Sequence, residues 1–204
     1  KKLVENGWVE GKPENFDRHL ALYTEDIIAW VQNTQPDAWD KIKRIHGDNA
    51  DKALLDRLER DLASKIGGTM KVFRDGFSVA GAGTIAMSQR APEDKNNPKV
   101  IARYKENILR VIRQVKYNPT REWEIDLVLF INGLPMATIE LKTDFTQSID
   151  DAIKQYKTDR LPNDPVSKKA EPLLTFKRGA VVHFAMSDSE IAMTTKLDGQ
   201  STFF

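Results

Sequence analysis

The hydrophobic positions of the chain recur with a helical period in its first third and collect in short runs after it. Leucines return every third or fourth position over residues 50–66, which predicts an amphipathic helix that ends at Gly67-Gly68. Two shorter helices are predicted before it, one with Thr24 as its N-cap and one over residues 38–45. These periodic positions indicate packing, and no chemistry follows from them.

After residue 68 the apolar runs shorten and are separated by turn residues, which is typical of β-strands. Hairpins are predicted from residues 70–73 with 77–80 and from residues 180–186 with 190–195. A strand is predicted over residues 109–117, an amphipathic helix over residues 146–158, and polar loops over residues 91–98 and 159–171, the second of them linker-like and mobile. This order of elements predicts an α/β (α+β-like) fold with a mixed central sheet flanked by helices.

The most informative segment is a predicted hairpin around Asn132-Gly133, a dipeptide that favours tight β-turns. The flanking runs, residues 127–131 and 136–139, are apolar, so both faces of the two strands are expected to be buried. Charged side chains occur only at the open end of the hairpin, and they are Asp126, Glu140 and Lys142.

Two carboxylates and a lysine in this place suit the hydrolysis of a phosphodiester. Mg²⁺ prefers oxygen ligands, which Asp126, Glu140 and the backbone carbonyl of Leu141 would supply. Lys142 projects to the same face as Glu140, where its ammonium can orient the attacking water or stabilise charge on phosphate. The segment resembles the active site of the PD-(D/E)XK nucleases. Because Glu-Leu-Lys is a common tripeptide and charges often end strands, an ordinary strand end is the alternative.

The register of the hairpin decides whether the two carboxylates meet. A two-residue loop without a bulge would pair Asp126 with Ile139 and put Glu140 on the other face. A three-residue loop, or one bulge, would pair Asp126 with Glu140, whose Cβ atoms would then be about 5 Å apart. We therefore expect the longer loop or a bulge.

The chain also strongly resembles the amino-terminal region of the restriction (R) subunit of type I restriction enzymes. The segments that carry the likeness span nearly the whole chain in order: residues 29–36, 107–115, 126–143, 150–156, 182–187 and 193–195. The resemblance implies a metal-dependent endonuclease domain that cleaves double-stranded DNA, with Asp126, Glu140 and Lys142 as catalytic residues. It further implies a helicase-like, ATP-driven motor in the carboxy-terminal part of the same chain, and methyltransferase and specificity subunits as partners.

Composition fits a nuclease module of this kind. The 204 residues are 40% apolar and 30% charged, and they carry a net charge of +1, so the chain is not a globally basic DNA-binding protein. The absence of cysteine excludes disulfides and thiolate metal sites and fits a cytoplasmic location. No apolar run is long enough to span a membrane. We expect a helical part over residues 1–68 and a nuclease core over residues 69–204, integrated into one domain that is cut from a longer chain.

Basic residues precede the hairpin, and among them Arg110 and Arg113 are candidates for contact with DNA phosphates; a solvated strand edge is the alternative. On the helix after the hairpin, many R subunits carry Gln-x-x-x-Tyr, whereas here Asp159 follows Gln155 by four residues. We expect Gln155 to position Lys142 or a DNA phosphate. His183, in an apolar strand, is expected to be a core residue, and Glu25 to be structural.

The sequence therefore predicts a Mg²⁺-dependent endonuclease domain, in which Mn²⁺ can substitute. ATP would be bound by the full-length chain and not by this part, because no G-x-x-x-x-G-K-[ST] motif occurs here. Two alternatives stay open: a nuclease fold that lost activity and became a DNA- or partner-docking module, and a RecB-like repair nuclease.

Overall fold

The computed structural model describes residues 2–93, 96–143 and 148–204. The helices in these ranges are α1 (Lys2–Glu5), α2 (Thr24–Thr34), α3 (Pro36–His46), α4 (Ala50–Ala63), α5 (Thr69–Asp75), α6 (Pro98–Lys105) and α7 (Ile149–Thr158). The strands are β1 (Val9–Glu10), β2 (Phe16–Asp17), β3 (Leu22–Tyr23), β4 (Phe77–Val79), β5 (Gly83–Ile85), β6 (Leu109–Lys116), β7 (Glu124–Ile131), β8 (Leu134–Leu141), β9 (Val182–Met186) and β10 (Ile191–Thr194).

A mixed six-stranded sheet forms the centre of the molecule, in the order β1-β6-β7-β8-β9-β10. Strands β6, β7 and β8 pair antiparallel, whereas β8 and β9 pair parallel. Parallel neighbours need a crossover connection, and α7 supplies it between β8 and β9. The predicted mixed sheet with flanking helices is confirmed, and the end of β8 therefore faces α7, the helix that follows it in the chain.

Two apolar cores hold the elements together. One lies between the sheet and α7, where Val128 and Phe130 of β7 pack with Ala152 and Tyr156 of the helix. The other lies among α2 to α5 and the small β4–β5 sheet, and it includes Leu134 at the start of β8. Burying apolar side chains on both sides explains why β7 and β8 are rich in apolar residues along their whole length.

The prediction of a strand over residues 70–73 is wrong, because these residues belong to helix α5. Thr69 and Val72 are its buried positions, and their spacing of three is helical. Phe77–Val79 is a strand as predicted, but its antiparallel partner is Gly83–Ile85. A short apolar run has too few positions to distinguish a helix from a strand. The glycines on both sides of residues 70–73 are compatible with either element.

Three further elements differ from the sequence predictions. Helix α2 begins at Thr24 itself, so its N-cap is Tyr23. The predicted loop over residues 91–98 ends in α6, whose first turn is capped by the side chain of Asn97, which accepts the N–H of Val100. The predicted linker over residues 159–171 is a packed loop, because its Asp164 and Glu171 are both buried.

Helix α7 starts at a capping box formed by Ser148 and Asp151, and residues 146–147 of the predicted helix lie outside the described ranges. The final hairpin, β9 with β10, is confirmed. No helix among the described residues is long and apolar enough to cross a membrane.

Candidate metal centre

The β7–β8 hairpin has a two-residue loop and a bulge. Ile131 pairs with Leu134 across the loop, and the register then shifts between Leu129 and Phe130, so that Leu127 pairs with Ile139. Continuing this register by one position sets Asp126 opposite Glu140. The expectation of a bulge is therefore confirmed, and the longer loop is not formed.

Proline and asparagine side chains explain this local geometry. Pro135, opposite Phe130, has no N–H to donate to the ladder, and proline inside a sheet is tolerated next to such irregularities. Asn132 is buried with a φ of 49°, and its amide accepts the N–H of Ile108 at 2.7 Å and donates to the carbonyl of Met87 at 2.9 Å. The turn is therefore fixed by side-chain hydrogen bonds as well as by Gly133, whose φ is 81°.

Asp126 closes the open end of the hairpin. Its Oδ2 accepts the backbone N–H of Leu141 at 2.7 Å, so the carboxylate lies against the last residue of β8. The N–H and C=O of one residue in an extended strand point to the same neighbouring strand, so the Leu141 carbonyl also faces the side of Asp126. On the other edge, the N–H of Lys142 donates to the carbonyl of Met186 at 2.8 Å and ties the segment to β9.

Glu140 is buried to an unusual degree for a carboxylate, with 1% of its side chain exposed. Its Oε1 accepts a hydrogen bond from Nε of Arg160 at 2.6 Å, and its Oε2 is buried without a hydrogen-bond donor. Burial raises the pKa of Glu140 to about 7; Arg160 opposes this rise, and the neighbouring carboxylate of Asp126 adds to it. The two acids thus lie close enough to repel each other.

This donor set fits a hard divalent cation. A buried carboxylate oxygen without a donor, a second carboxylate beside it and a backbone carbonyl on the same side are ligands of the kind that Mg²⁺ takes. Within the described residues no cluster of three or more acidic, histidine or cysteine side chains could hold a metal ion. The residues that would hold an ion here are Asp126, Glu140 and, through its backbone carbonyl, Leu141, with water in the remaining positions.

Lys142 and Gln155 line one cleft of about 230 Å³, together with Asp151, Lys154, Thr158 and Asp159. The Oε1 atom of Gln155 is buried and has no hydrogen-bond partner. Buried amide oxygens usually accept a hydrogen bond, whereas this one has no donor. It can therefore accept a hydrogen bond in the cleft that Lys142 also lines. The position agrees with the expectation for Gln155, and its role stays a prediction.

The two arginines that the sequence singled out lie elsewhere. Arg110 donates from Nε and Nη2 to both carboxylate oxygens of Asp26, at 2.6 and 2.7 Å, and its guanidinium lies 4.3 Å from the centre of the Tyr23 ring. Arg113 pairs with Leu127, so it lies on the face of the sheet opposite to Asp126. The structure brings neither arginine to the carboxylates, because strand alternation turns Arg113 away and Asp26 holds Arg110; their contact with DNA stays a prediction.

His183 is a core residue as expected. It is 1% exposed, its Nδ1 lies 2.7 Å from the hydroxyl of Thr138, and burial lowers its pKa to about 4. Glu25 accepts a hydrogen bond from Asn15 at 3.0 Å, which fits the structural role expected for it.

Sequence reasoning missed Arg160, the partner of Glu140. It lies 20 residues after Glu140, in a segment interpreted as a linker, and only the fold brings the two side chains together. One signal was present: a glutamate inside an apolar strand has to be compensated by a cation when it is buried. That signal predicts a partner without saying which of the 31 lysines and arginines it is.

Comparison with known proteins agrees with the resemblance noted in the sequence. The family model described as "Type I restriction enzyme R protein N terminus" matches residues 22–202, which is nearly the whole chain. The comparison with curated protein sequences gives no match. The match to the family model covers nearly the whole chain, and the chain therefore belongs to the family of type I restriction enzyme R protein N-terminal regions.

Proposed function

We propose that this chain is the endonuclease domain of a type I restriction enzyme and that it hydrolyses phosphodiester bonds of double-stranded DNA in a metal-dependent reaction. The observation that carries the proposal is the register of the β7–β8 hairpin. Continued by one position, it sets Asp126 opposite Glu140, one of whose buried oxygens has no donor. Two neighbouring acids, of which Glu140 is buried, cost stability, and such pairs are concentrated at functional sites.

The proposed fold is of the PD-(D/E)XK type. Its support is a mixed sheet in which Asp126 and Glu140 lie near the ends of two adjacent antiparallel strands. Lys142 directly follows the second of these strands, and helix α7 is the next described element. This attribution rests on the arrangement of the elements together with the sequence motif.

Each side chain has a distinct task in the proposed reaction. Asp126 and Glu140 would hold Mg²⁺, or Mn²⁺ in its place, which when bound supplies a Lewis acid for the phosphate oxygen. The ammonium of Lys142 orients the attacking water and stabilises negative charge on the phosphate. Gln155, with a free amide oxygen in the same cleft, positions the lysine or a DNA phosphate.

Other parts of the enzyme would supply the remaining steps. In the proposed assembly, specificity and methyltransferase subunits select the DNA, and a motor in the same polypeptide hydrolyses ATP. This chain contains no G-x-x-x-x-G-K-[ST] motif, so we assign ATP binding to the motor. A cytoplasmic location belongs to the same proposal.

Calorimetric titration of Mg²⁺ tests the proposed site without requiring turnover. The wild-type R subunit is titrated in the absence of nucleotide, beside Asp126→Ala and Glu140→Ala. We expect each substitution to remove one Mg²⁺ site, because only two carboxylates are available to hold the ion. Glu190→Ala, which changes an exposed glutamate in the turn after β9, is the control and should bind as the wild type does. Equal Mg²⁺ binding by all four proteins would refute the proposal.

A further inference from the structure

Arg160 is anchored at the point where α7 ends. Its backbone N–H donates to the carbonyl of Gln155 at 3.1 Å, and the N–H of Asp159 donates to the same carbonyl at 2.8 Å. The arginine side chain is 11% exposed, and the centre of its guanidinium group lies 5.8 Å from the centre of the Tyr117 ring. Backbone and side chain are therefore both held, and the guanidinium has little freedom to leave Glu140.

The contact between Arg160 and Glu140 uses one carboxylate oxygen and spares the other. Nε of Arg160 donates to Oε1 at 2.6 Å, whereas Oε2 has no donor although it is buried. Arginine often binds a carboxylate through two parallel hydrogen bonds, which would occupy both oxygens. Arg110 does so with Asp26 in this same chain. The one-sided contact of Arg160 holds Oε1 of the Glu140 carboxylate and leaves Oε2 without a donor.

We propose that Arg160 is a positioning residue for the metal: its Nε–H holds Oε1 of Glu140 so that Oε2 is presented to the cation shared with Asp126. The inference rests on the proposed metal site and adds to it a residue outside the Asp-Glu-Lys motif. Groups that orient a metal ligand in this way change metal affinity by about 10- to 100-fold when they are removed.

Two other roles would give different results. If Arg160 only compensates the buried charge of Glu140, its loss lowers the stability of the fold and leaves the affinity for Mg²⁺ unchanged. If its positive charge mainly repels the cation, its loss makes Mg²⁺ bind more tightly. Metal affinity therefore separates the three roles, whereas cleavage activity would fall in more than one of them.

The experiment is calorimetric titration of Mg²⁺ into the intact R subunit without nucleotide, for wild type, Arg160→Met and Arg160→Lys. We expect Arg160→Met to raise the Kd for Mg²⁺ by about 10-fold or more. Arg160→Lys, which retains the charge and one donor, should raise it less. An unchanged or lower Kd for Arg160→Met would overturn the inference.

Arg121→Met is the matched control. Arg121 also pairs with a buried acid, Asp164 at 2.8 Å, and also lies against an aromatic ring, that of Trp123 at 4.7 Å, but it does not touch Glu140. Its Kd for Mg²⁺ should equal that of the wild type. A rise equal to that of Arg160→Met would show a general effect of removing the cation beside a buried acid and would overturn the inference.

Three further variants make the outcome unambiguous: Asp126→Ala, Glu140→Gln, and Glu140→Gln combined with Arg160→Lys. Asp126→Ala defines the signal of the site: if the wild type binds no more Mg²⁺ than this variant, the proposed function fails, whatever Arg160 does.

If Arg160→Met does not fold, Arg160→Lys decides, in the wild-type and the Glu140→Gln backgrounds. The lysine should weaken Mg²⁺ binding in the first background and have no further effect in the second, because its target carboxylate is then absent. An unchanged Kd in the first background would overturn the inference.

Discussion

Replacing Glu140 by glutamine is expected to stabilise the metal-free protein at pH 8, although it removes a metal ligand. The wild-type carboxyl is 1% exposed, and burial raises its pKa from an ordinary value of 4.5 to about 7. Glutamine has nearly the same shape, carries no charge, and can still accept the hydrogen bond from Arg160. The substitution therefore isolates the cost of keeping this carboxylate ionised inside the fold.

The sign and size of the effect follow from proton linkage. Below pH 4.5 the carboxyl is protonated in both states, and Glu140 brings no penalty relative to glutamine. Between pH 4.5 and 7 the unfolded chain releases the proton while the folded protein retains it, so stability is lost as the pH rises. At about 1.4 kcal/mol for each pKa unit, the loss approaches about 3 kcal/mol above pH 7. For a chain of this length that is roughly 6–12 °C in Tm.

The assay is urea unfolding at pH 4.5, 6, 7 and 8 in the presence of EDTA, for wild type and Glu140→Gln. The difference in the free energy of unfolding should start near zero and grow in favour of the variant up to pH 8. Glu190→Gln, at an exposed glutamate, should show no such growth. A difference that does not change with pH, or a variant less stable than wild type at pH 8, would show that the folded protein imposes no penalty on ionised Glu140.

Three further predictions concern Gln155, the Arg110–Asp26 ion pair and the turn at Gly133. Gln155→Ala should weaken DNA cleavage by the complete enzyme while Mg²⁺ affinity and the melting temperature stay at wild-type values; unaltered cleavage would leave Gln155 a surface residue of α7. Arg110→Met should lower the free energy of unfolding in urea by roughly 3–5 kcal/mol, because it leaves Asp26 buried without its partner. The double variant Arg110→Met, Asp26→Asn should recover part of that loss. A loss below about 1 kcal/mol for Arg110→Met would contradict a buried ion pair. Gly133→Ala should lower the melting temperature far more than Gly83→Ala does. Both glycines have positive φ, but of the two only Gly133 would bring the new Cβ against other atoms, including the carbonyl of Tyr23 at 2.4 Å. Equal shifts in melting temperature would contradict the described turn.

The hairpin and its acids could be predicted from the sequence because the signals are local. Asn132-Gly133 marks the turn, and the apolar runs beside it mark buried strands. The sequence also predicted either a longer loop or a bulge, because Asp126 and Glu140 share a face only in one of these cases, and the structure has the bulge. Pro135, which has no N–H, was a second local signal for the position of that irregularity.

The partners of charged side chains could not be predicted, because they are distant in sequence. Asp26 and Arg110 are 84 residues apart, and Glu140 and Arg160 are 20 residues apart with helix α7 between them. Alternation along β6 already puts Arg110 and Arg113 on opposite faces of the strand, but it does not indicate that Asp26 holds Arg110. The charge of a side chain and its face on a strand limit the partners it can have, but the tertiary fold decides which partner it meets.

The central claim is that Asp126, Glu140 and Lys142 perform DNA cleavage, separately from the motor. The most direct test assembles the complete restriction enzyme with Asp126→Ala, Glu140→Ala or Lys142→Ala in the R subunit, and measures plasmid cleavage together with ATP hydrolysis and translocation. We expect each substitution to abolish cleavage while ATP hydrolysis and translocation continue at the wild-type rate, because only the chemical step is affected. Cleavage at the wild-type rate by any one of the three variants would contradict it.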